Sequence, residues 1–304
     1  MQKRIARRQV DGVLLLDKPR GLSSNHALQK AKRLFNAAKA GHTGTLDPMA
    51  TGLLPLTFGE ATKFSQMLLD ADKSYEATVT LGVVTDTGDA EGQVLERQSV
   101  TADVQDVAAA LNAFRGEIEQ IPPMYSALKR DGRPLYEYAR AGIELERAPR
   151  RVVIHALEML DGGLDGSSFG FRVRCSKGTY VRTLAMDIGR ALGCGAHLSA
   201  LRRTAIGPFG LDDAVSIERI ESCSMDGRDA LLASCDTLVG HLVPLQLDES
   251  QACALLQGRS MTLGECAGSG LVRLYAGARF IGLGEINEGG KLSPKRLIAT
   301  GPAV

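Results

Sequence analysis

Residues 75–81 alternate strictly. Tyr75, Ala77, Val79 and Leu81 fall on one side and Glu76, Thr78 and Thr80 on the other, which is the period of a strand with one face on a core. Phe169, Phe171, Val173 and Cys175 repeat the pattern against Gly170, Arg172 and Arg174. Helical periods stand between these stretches, but strands and helices do not alternate as regular βαβ units. That argues against a doubly wound parallel sheet and predicts an α+β fold on a mainly antiparallel sheet.

Residues 12–16 are a short apolar run ended by Asp17-Lys18-Pro19-Arg20-Gly21, a buried strand and then a turn. Ser23 or Ser24 can cap the next helix, whose apolar positions are Ala27, Leu28, Ala31, Leu34 and Phe35. Further helices are expected at about residues 60–69, at 103–115 and at 182–192. The second has Val104, Val107, Ala108, Leu111 and Phe114 as its buried stripe and Gly116 as its stop. Residues 151–159 and 169–175 read as strands. Residues 120–150 are less regular, basic and Tyr-bearing, an excursion from the core. Residues 212–250 are expected to form a helical connection. The tail is Gly-rich and strand-like, with residues 271–275 and 279–285 flanking a turn at Ala276-Gly277-Ala278. A boundary near residue 247 separates a main domain, 1–246, from a small β-rich module, 247–304.

Apolar residues make up 44% of the chain and charged residues 23%, ordinary values for a globular protein. No run of 18 apolar residues is present to span a membrane. Lys3, Arg4, Arg7 and Arg8 are followed by no apolar stretch, so no secretory leader is expected and the cytoplasm is the expected location. The six cysteines show no CxxC spacing, so neither a zinc ribbon nor a redox motif is indicated. The net charge of +1 hides a sorted distribution. Lys and Arg outnumber Asp and Glu by 11 to 4 in residues 1–63, 7 to 4 in 126–152 and 7 to 1 in 172–203, whereas residues 204–250 hold 2 against 9. Such a chain can present a basic face to a polyanion, nucleic acid first. Chance clustering on solvated helix faces is the alternative.

Two stretches concentrate the polar chemistry. Residues 41–52 hold three glycines and a proline and follow neither period, which marks an ordered loop. Pro48 biases Asp47 toward extended backbone. A lone carboxylate there can be a nucleophile, a general base or a turn cap. Residues 176–182, Ser-Lys-Gly-Thr-Tyr-Val-Arg, lie where a strand becomes a helix. Lys177 could meet a phosphate and Arg182 a carboxylate. A cation at a helix start opposes the macrodipole, which favours a functional use. Tyr75 fits a core position as well as a site. Tyr125, Tyr136 and Tyr138 stand among cations, a pattern that suits single-stranded RNA. The chain has no Walker A, HExxH or GxSxG motif, no GxGxxG joining a strand to a helix, and its five histidines are scattered.

Gly12 to Gly21 (GVLLLDKPRG) and Gly41 to Pro48 (GHTGTLDP) resemble the bacterial tRNA pseudouridine-55 synthases, the TruB family. The resemblance continues through Thr85 to Gly92 (TDTGDAEG), Pro122 to Lys129 (PPMYSALK), Ser176 to Thr183 (SKGTYVRT) and Cys194 to Leu198 (CGAHL). Met49 stands where the family usually has Leu, a conservative change. The resemblance implies a curved mixed sheet flanked by helices, a thumb-like insertion at about 120–150, and a C-terminal PUA-like RNA-binding module. It implies isomerisation of one uridine in the T-loop of tRNA by base flipping, glycosidic cleavage, rotation of the uracil and rejoining through carbon. Asp47 matches the essential aspartate, Tyr75 the tyrosine that packs on the target uridine and is a candidate for proton transfer at the sugar, and Arg182 the arginine paired with the aspartate. Tyr180 and Leu201 match residues lining the base pocket, and His42 one that takes the place of the extruded base. Lys18 and Pro19 match a motif that shapes the pocket floor. Lys129 and Lys177 are expected to meet RNA. The implied partner is the T-arm of tRNA; no cofactor, metal, membrane or protein partner is implied, and a monomer is expected.

Overall fold

The computed structural model describes residues 6–263 and 268–298. In chain order the elements begin with β1 (Gly12–Lys18), α1 (Ser24–Leu34), β2 (Ala40–His42) and β3 (Thr51–Phe58). A 3-10 helix (Gly59–Phe64) then runs into α2 (Ser65–Leu69), followed by β4 (Lys73–Leu81), the hairpin of β5 (Val83–Thr85) and β6 (Val94–Arg97), α3 (Val104–Ala113) and β7 (Gly116–Gln120). The insertion carries β8 (Lys129–Arg130), β9 (Arg133–Pro134) and α4 (Leu135–Arg140). The chain returns through β10 (Arg150–Asp165), β11 (Ser168–Cys175), α5 (Val181–Ala191), β12 (Ala196–Ile206) and β13 (Phe209–Gly210). Short helices α6 (Ile217–Ser222) and α7 (Met225–Asp229) lead to β14 (Val243–Leu247), α8 (Glu249–Leu256), β15 (Met261–Thr262), β16 (Gly270–Ala276), β17 (Arg279–Ile286) and β18 (Lys291–Leu297).

Nine strands form the main sheet, in the order β1-β3-β12-β4-β11-β10-β7, with β2 on β3 and β13 on β12. Every pairing is antiparallel except β3 with β12, so the expected α+β fold with a mainly antiparallel mixed sheet is what the chain adopts. β4 alternates without a break between buried and half-buried positions. The continuous apolar run of β1 has a different cause. Leu14 and Leu16 enter the main core with α1, whereas Val13 and Leu15 enter a second cluster with Phe64 and Leu283. A strand covered on both faces needs no polar side.

β12 is a central strand that the periodicity does not announce. Bulges between Leu198 and Ala200 and between Arg203 and Ala205 shift its alternation, so it reads as irregular. Gly52 allows its close approach to β3: a Cβ there would lie 2.3 Å from the Arg203 carbonyl oxygen, and its φ is +98°. The helix expected at 60–69 is a 3-10 turn followed by five α-helical residues. Val104, expected in the buried stripe of α3, is 44% exposed, because it begins the helix outside the turns that pack on the sheet. The acidic connection is helical only in short pieces.

A second sheet, β14-β16-β17-β18-β15, holds the tail. β14 pairs along its whole length with β16, so this sheet starts at Val243, ahead of the boundary expected from composition. It packs on the back of the main sheet. Phe280 lies 5.5 Å from Phe64 and 5.5 Å from Tyr275 between ring centroids. Tyr275 donates its hydroxyl proton to Asp236, and Lys63 donates to the Leu297 carbonyl at 2.8 Å. Phe64→Ala is therefore expected to cost about 3–5 kcal/mol, as other buried Phe truncations do, read as a lowered urea midpoint. A loss below about 1 kcal/mol would mean that this junction contributes little.

Candidate active site

The loop from Thr43 to Ala50 is held from several sides. Ser24, at the start of α1, donates its hydroxyl to the Leu46 carbonyl at 2.9 Å and accepts from the Leu46 amide at 2.7 Å. The Gly21 amide donates to the Pro48 carbonyl and the Thr43 amide to the Pro55 carbonyl. Arg203 Nη2 donates to the Gly44 carbonyl at 3.3 Å. The loop of Asp47 is thus fixed by bonds that span 12 or more residues in sequence, as a preorganised site requires.

Arg182, in the first turn of α5, is 5% exposed and has a partner at every guanidinium nitrogen. Nε meets Asp47 Oδ2 at 3.0 Å, Nη1 meets Asp89 Oδ2 at 3.3 Å and donates to the Thr87 carbonyl at 2.9 Å, and Nη2 donates to the Tyr125 carbonyl. The cation thus overcomes its unfavourable place at a helix start by joining two carboxylates. Asp89 is held in turn by the Thr87 hydroxyl at 2.7 Å and the Glu91 amide at 3.0 Å.

Asp47 keeps 37% of its side-chain surface open, but that surface faces a cavity, and the protein around it still removes most of its hydration. Desolvation raises its pKa; Arg182 and Lys18 oppose the rise and Asp89 adds to it. Lys18 is fully buried, donates Nζ to the Pro19 and Leu22 carbonyls, and is pulled down by burial to about 8, with Asp47 resisting.

The cavity measures about 350 Å³ and is lined by Asp47, Tyr75, Tyr180, Arg182, Leu201 and Arg203 among others. Gln120 brackets Tyr180, accepting from its amide and donating to its carbonyl. Five of the ten residues singled out from the sequence therefore meet at one place: Asp47, Tyr75, Tyr180, Arg182 and Leu201. Lys18 and Pro19 lie outside the lining, Lys18 close enough to act on Asp47 through space. His42 ends β2, also outside the lining, with its Nδ1 buried and, among the described residues, without a hydrogen-bond partner; burial and then Arg203 lower its pKa. Lys177 is exposed and paired with Asp70 at 2.9 Å. Lys129 is exposed on β8, beside a second cavity of about 180 Å³ that it lines with Arg130, Arg147 and Arg150.

Ser24, Asp89 and Arg203 were not among the sequence candidates. Asp89 lay inside a motif without an assigned role. Arg203 shares its buried face with Leu201, two residues away, a signal that becomes readable once residues 196–206 are known to be a strand. Among the described residues no group of three His, Cys, Asp or Glu is arranged to hold a metal ion, and no helix is long and apolar enough to cross a membrane.

Comparison with known proteins identifies this scaffold as that of a pseudouridine synthase. Residues 32–181 match the TruB family pseudouridylate synthase N-terminal domain, 182–245 the tRNA pseudouridylate synthase B C-terminal domain, and 244–298 the pseudouridine synthase II TruB C-terminal domain. The tRNA pseudouridine synthase B of Aromatoleum aromaticum is 64% identical over 299 residues, 98% of this chain and 96% of that protein. That of Azoarcus sp. is 63% identical over 300 residues, 99% of each. A chain in a solved Cbf5–Nop10–Gar1 complex is 28% identical with a TM-score of 0.67, covering 92% of this chain and 79% of that one. A chain in an H/ACA RNP bound to a substrate RNA shares the fold, with a TM-score of 0.70 at 23% identity over 98% of this chain and 93% of that one. The chain belongs to the TruB family of pseudouridine synthases. It is an isomerase that converts uridine to pseudouridine in tRNA.

Proposed function

We propose that the uridine is position 55 in the T-loop of tRNA and that Asp47 is the essential carboxylate. The observation that carries this reading is the 3.0 Å pair of Asp47 and Arg182 opening into a cavity walled by Tyr75, Tyr180 and Leu201. A base stacked in a loop is out of reach of that carboxylate, so it must be flipped, at a cost of a few kcal/mol. The aromatic and apolar walls receive the flat uracil. The N1–C1′ bond breaks, the ring turns and C5 bonds to C1′; the C5 proton leaves and N1 gains one. The reaction is redox-neutral and consumes nothing else. Whether Asp47 attacks the sugar or the uracil, or acts after a glycal forms, it must be ionised, and Arg182 and Lys18 supply the opposing charge. Lys18 and Pro19 support the floor of the pocket. The insertion with Lys129, the exposed Lys177 and the tail module grip the RNA backbone, and the protein acts as a monomer in the cytoplasm.

The test is unmodified tRNA incubated with the pure protein and mapped for pseudouridine. Conversion at position 55 alone is expected, and conversion elsewhere would overturn the assignment.

His42 stands five residues before Asp47, beside the cavity but outside its lining, where it can fill the gap left by the flipped base. His42→Ala is then expected to expose part of the unstacking cost, about 1–3 kcal/mol, or roughly a 5- to 150-fold slower single turnover on intact tRNA. The loss should shrink on a T-arm variant whose loop is already opened. Equal fractional losses on both RNAs would instead make His42 a support of its own loop.

A further inference from the structure

Among the described residues, Arg203 is a buried cation with no carboxylate beside it. It leaves β12 opposite Tyr75 of β4 and is 1% exposed. Nε donates to the Leu53 carbonyl at 2.7 Å and Nη2 to the Gly44 carbonyl at 3.3 Å, and Arg203 lines the same cavity as Tyr75, its neighbour across the strand pair. Among the described residues it forms no ion pair, and Tyr75 is the one acidic group that acts on it. A guanidinium held in a core without a counter-ion is costly. Arg182 meets that cost with two carboxylates; Arg203 instead turns its charge on a phenol at the cavity wall.

We propose that Arg203 is a positioning residue for proton transfer by Tyr75, fixing the hydroxyl toward the cavity and stabilising the phenolate each time the proton leaves. The proposal rests on the reading of Tyr75 as a proton carrier. Cleavage of the glycosidic bond leaves the electron pair on uracil N1. Tyr75 gives its proton to that nitrogen and becomes phenolate. Once C5 has bonded to C1′, the phenolate takes the proton from C5, and its oxygen is again a hydroxyl. No proton is lost from the pocket and no co-reactant is needed.

The groups facing the Tyr75 hydroxyl are consistent with this division. Burial raises its pKa, and Cys175 from β11 and Asp47 from the loop add to the rise. Arg203 alone among its neighbours acts downward, through the positive charge it places across the strand pair. Burial pushes the Cys175 thiol up to about 11, so near neutral pH it stays protonated. Lys73, on the strand of Tyr75, is pulled down to about 8 with its Nζ on the Leu69 and Ala71 carbonyls.

The test is single-turnover isomerisation of unmodified tRNA by Arg203→Gln and Arg203→Lys, each with tyrosine or the more acidic 3-fluorotyrosine at position 75. Arg203→Gln with tyrosine is expected to be roughly 10- to 150-fold slower than wild type, with tRNA affinity kept within about threefold. Fluorotyrosine should recover most of that loss, because a more acidic phenol needs less help to hold its charge. Arg203→Lys keeps the cation and is the gentler change; it should show a smaller loss with the same recovery, and it carries the test if Arg203→Gln lowers the folded fraction. Losses that fluorotyrosine leaves untouched would overturn the proposal and make Arg203 a support of the Gly44 loop. Tyr75→Phe separates this failure from that of the underlying reading. A Phe variant as fast as wild type would remove Tyr75 from proton transfer altogether, whereas a slow one together with failed recovery would remove Arg203 alone.

Discussion

Asp47→Asn is expected to abolish pseudouridine formation while tRNA binding stays within roughly tenfold, about 1.4 kcal/mol, of wild type. Asn has the shape of Asp and loses the charge. The loop that presents it is held through Ser24, Gly21, Thr43 and Arg203, none of which bonds to the Asp47 carboxylate, so the substitution leaves the fold of the loop in place. Arg182 keeps Asp89 and two carbonyls as partners. A chemical role therefore separates cleanly from a structural one. Filter binding and single-turnover mapping of pseudouridine on the same preparation give both quantities. Residual turnover above a few per cent of wild type would place the essential group elsewhere, and binding lost together with activity would mean that the carboxylate supports RNA contact.

Arg182→Met should be nearly as severe, for a different reason. It leaves Asp47 and the buried Asp89 without the cation they share and takes the donor from the Thr87 and Tyr125 carbonyls. Breaking a buried pair on one side costs about 3–5 kcal/mol of stability, so the urea midpoint should fall as well. The rate carries a sharper signature. Burial and Asp89 already raise the Asp47 pKa, and Arg182 is the largest influence opposing them. Without it the carboxyl binds its proton to higher pH. With ionised Asp47 as the proposed active form, activity is lost as pH falls through its pKa, and that acid limb is expected to move upward in the variant. At neutral pH the loss is expected to be roughly 10²- to 10³-fold, recovering in part as pH rises. A pH–rate profile with the wild-type position and shape would show that Arg182 does not hold the charge on Asp47.

Several elements of the site were legible from local pattern. β4 and β11 declare themselves by a period of two because one face of each lies on the core. Pro48 and the glycines around Asp47 mark an ordered loop before its surroundings are known. The hairpin at Gly277 follows from its turn residues in the same way. β12 was hidden because its two bulges break the count on which such patterns depend. With it went Arg203, a charged residue whose burial has no local sign. β14 falls inside the expected helical connection because five residues of strand leave too short a trace.

By itself the sequence determined the one-sided strands, the caps, the turns and the loop that carries Asp47, since each is decided by residues within a few positions of one another. The motifs from Gly12 to Leu198 further marked the family. Only the tertiary structure decided how the charges are compensated. Asp47, Asp89 and Arg182 come from three separate segments, and Arg203 meets Tyr75 across a register set by the bulges of β12. Whether a cation is solvated, paired or buried alone depends on what the rest of the chain places around it. Strand register and helix docking at long range control that, and they leave no period in the sequence to read.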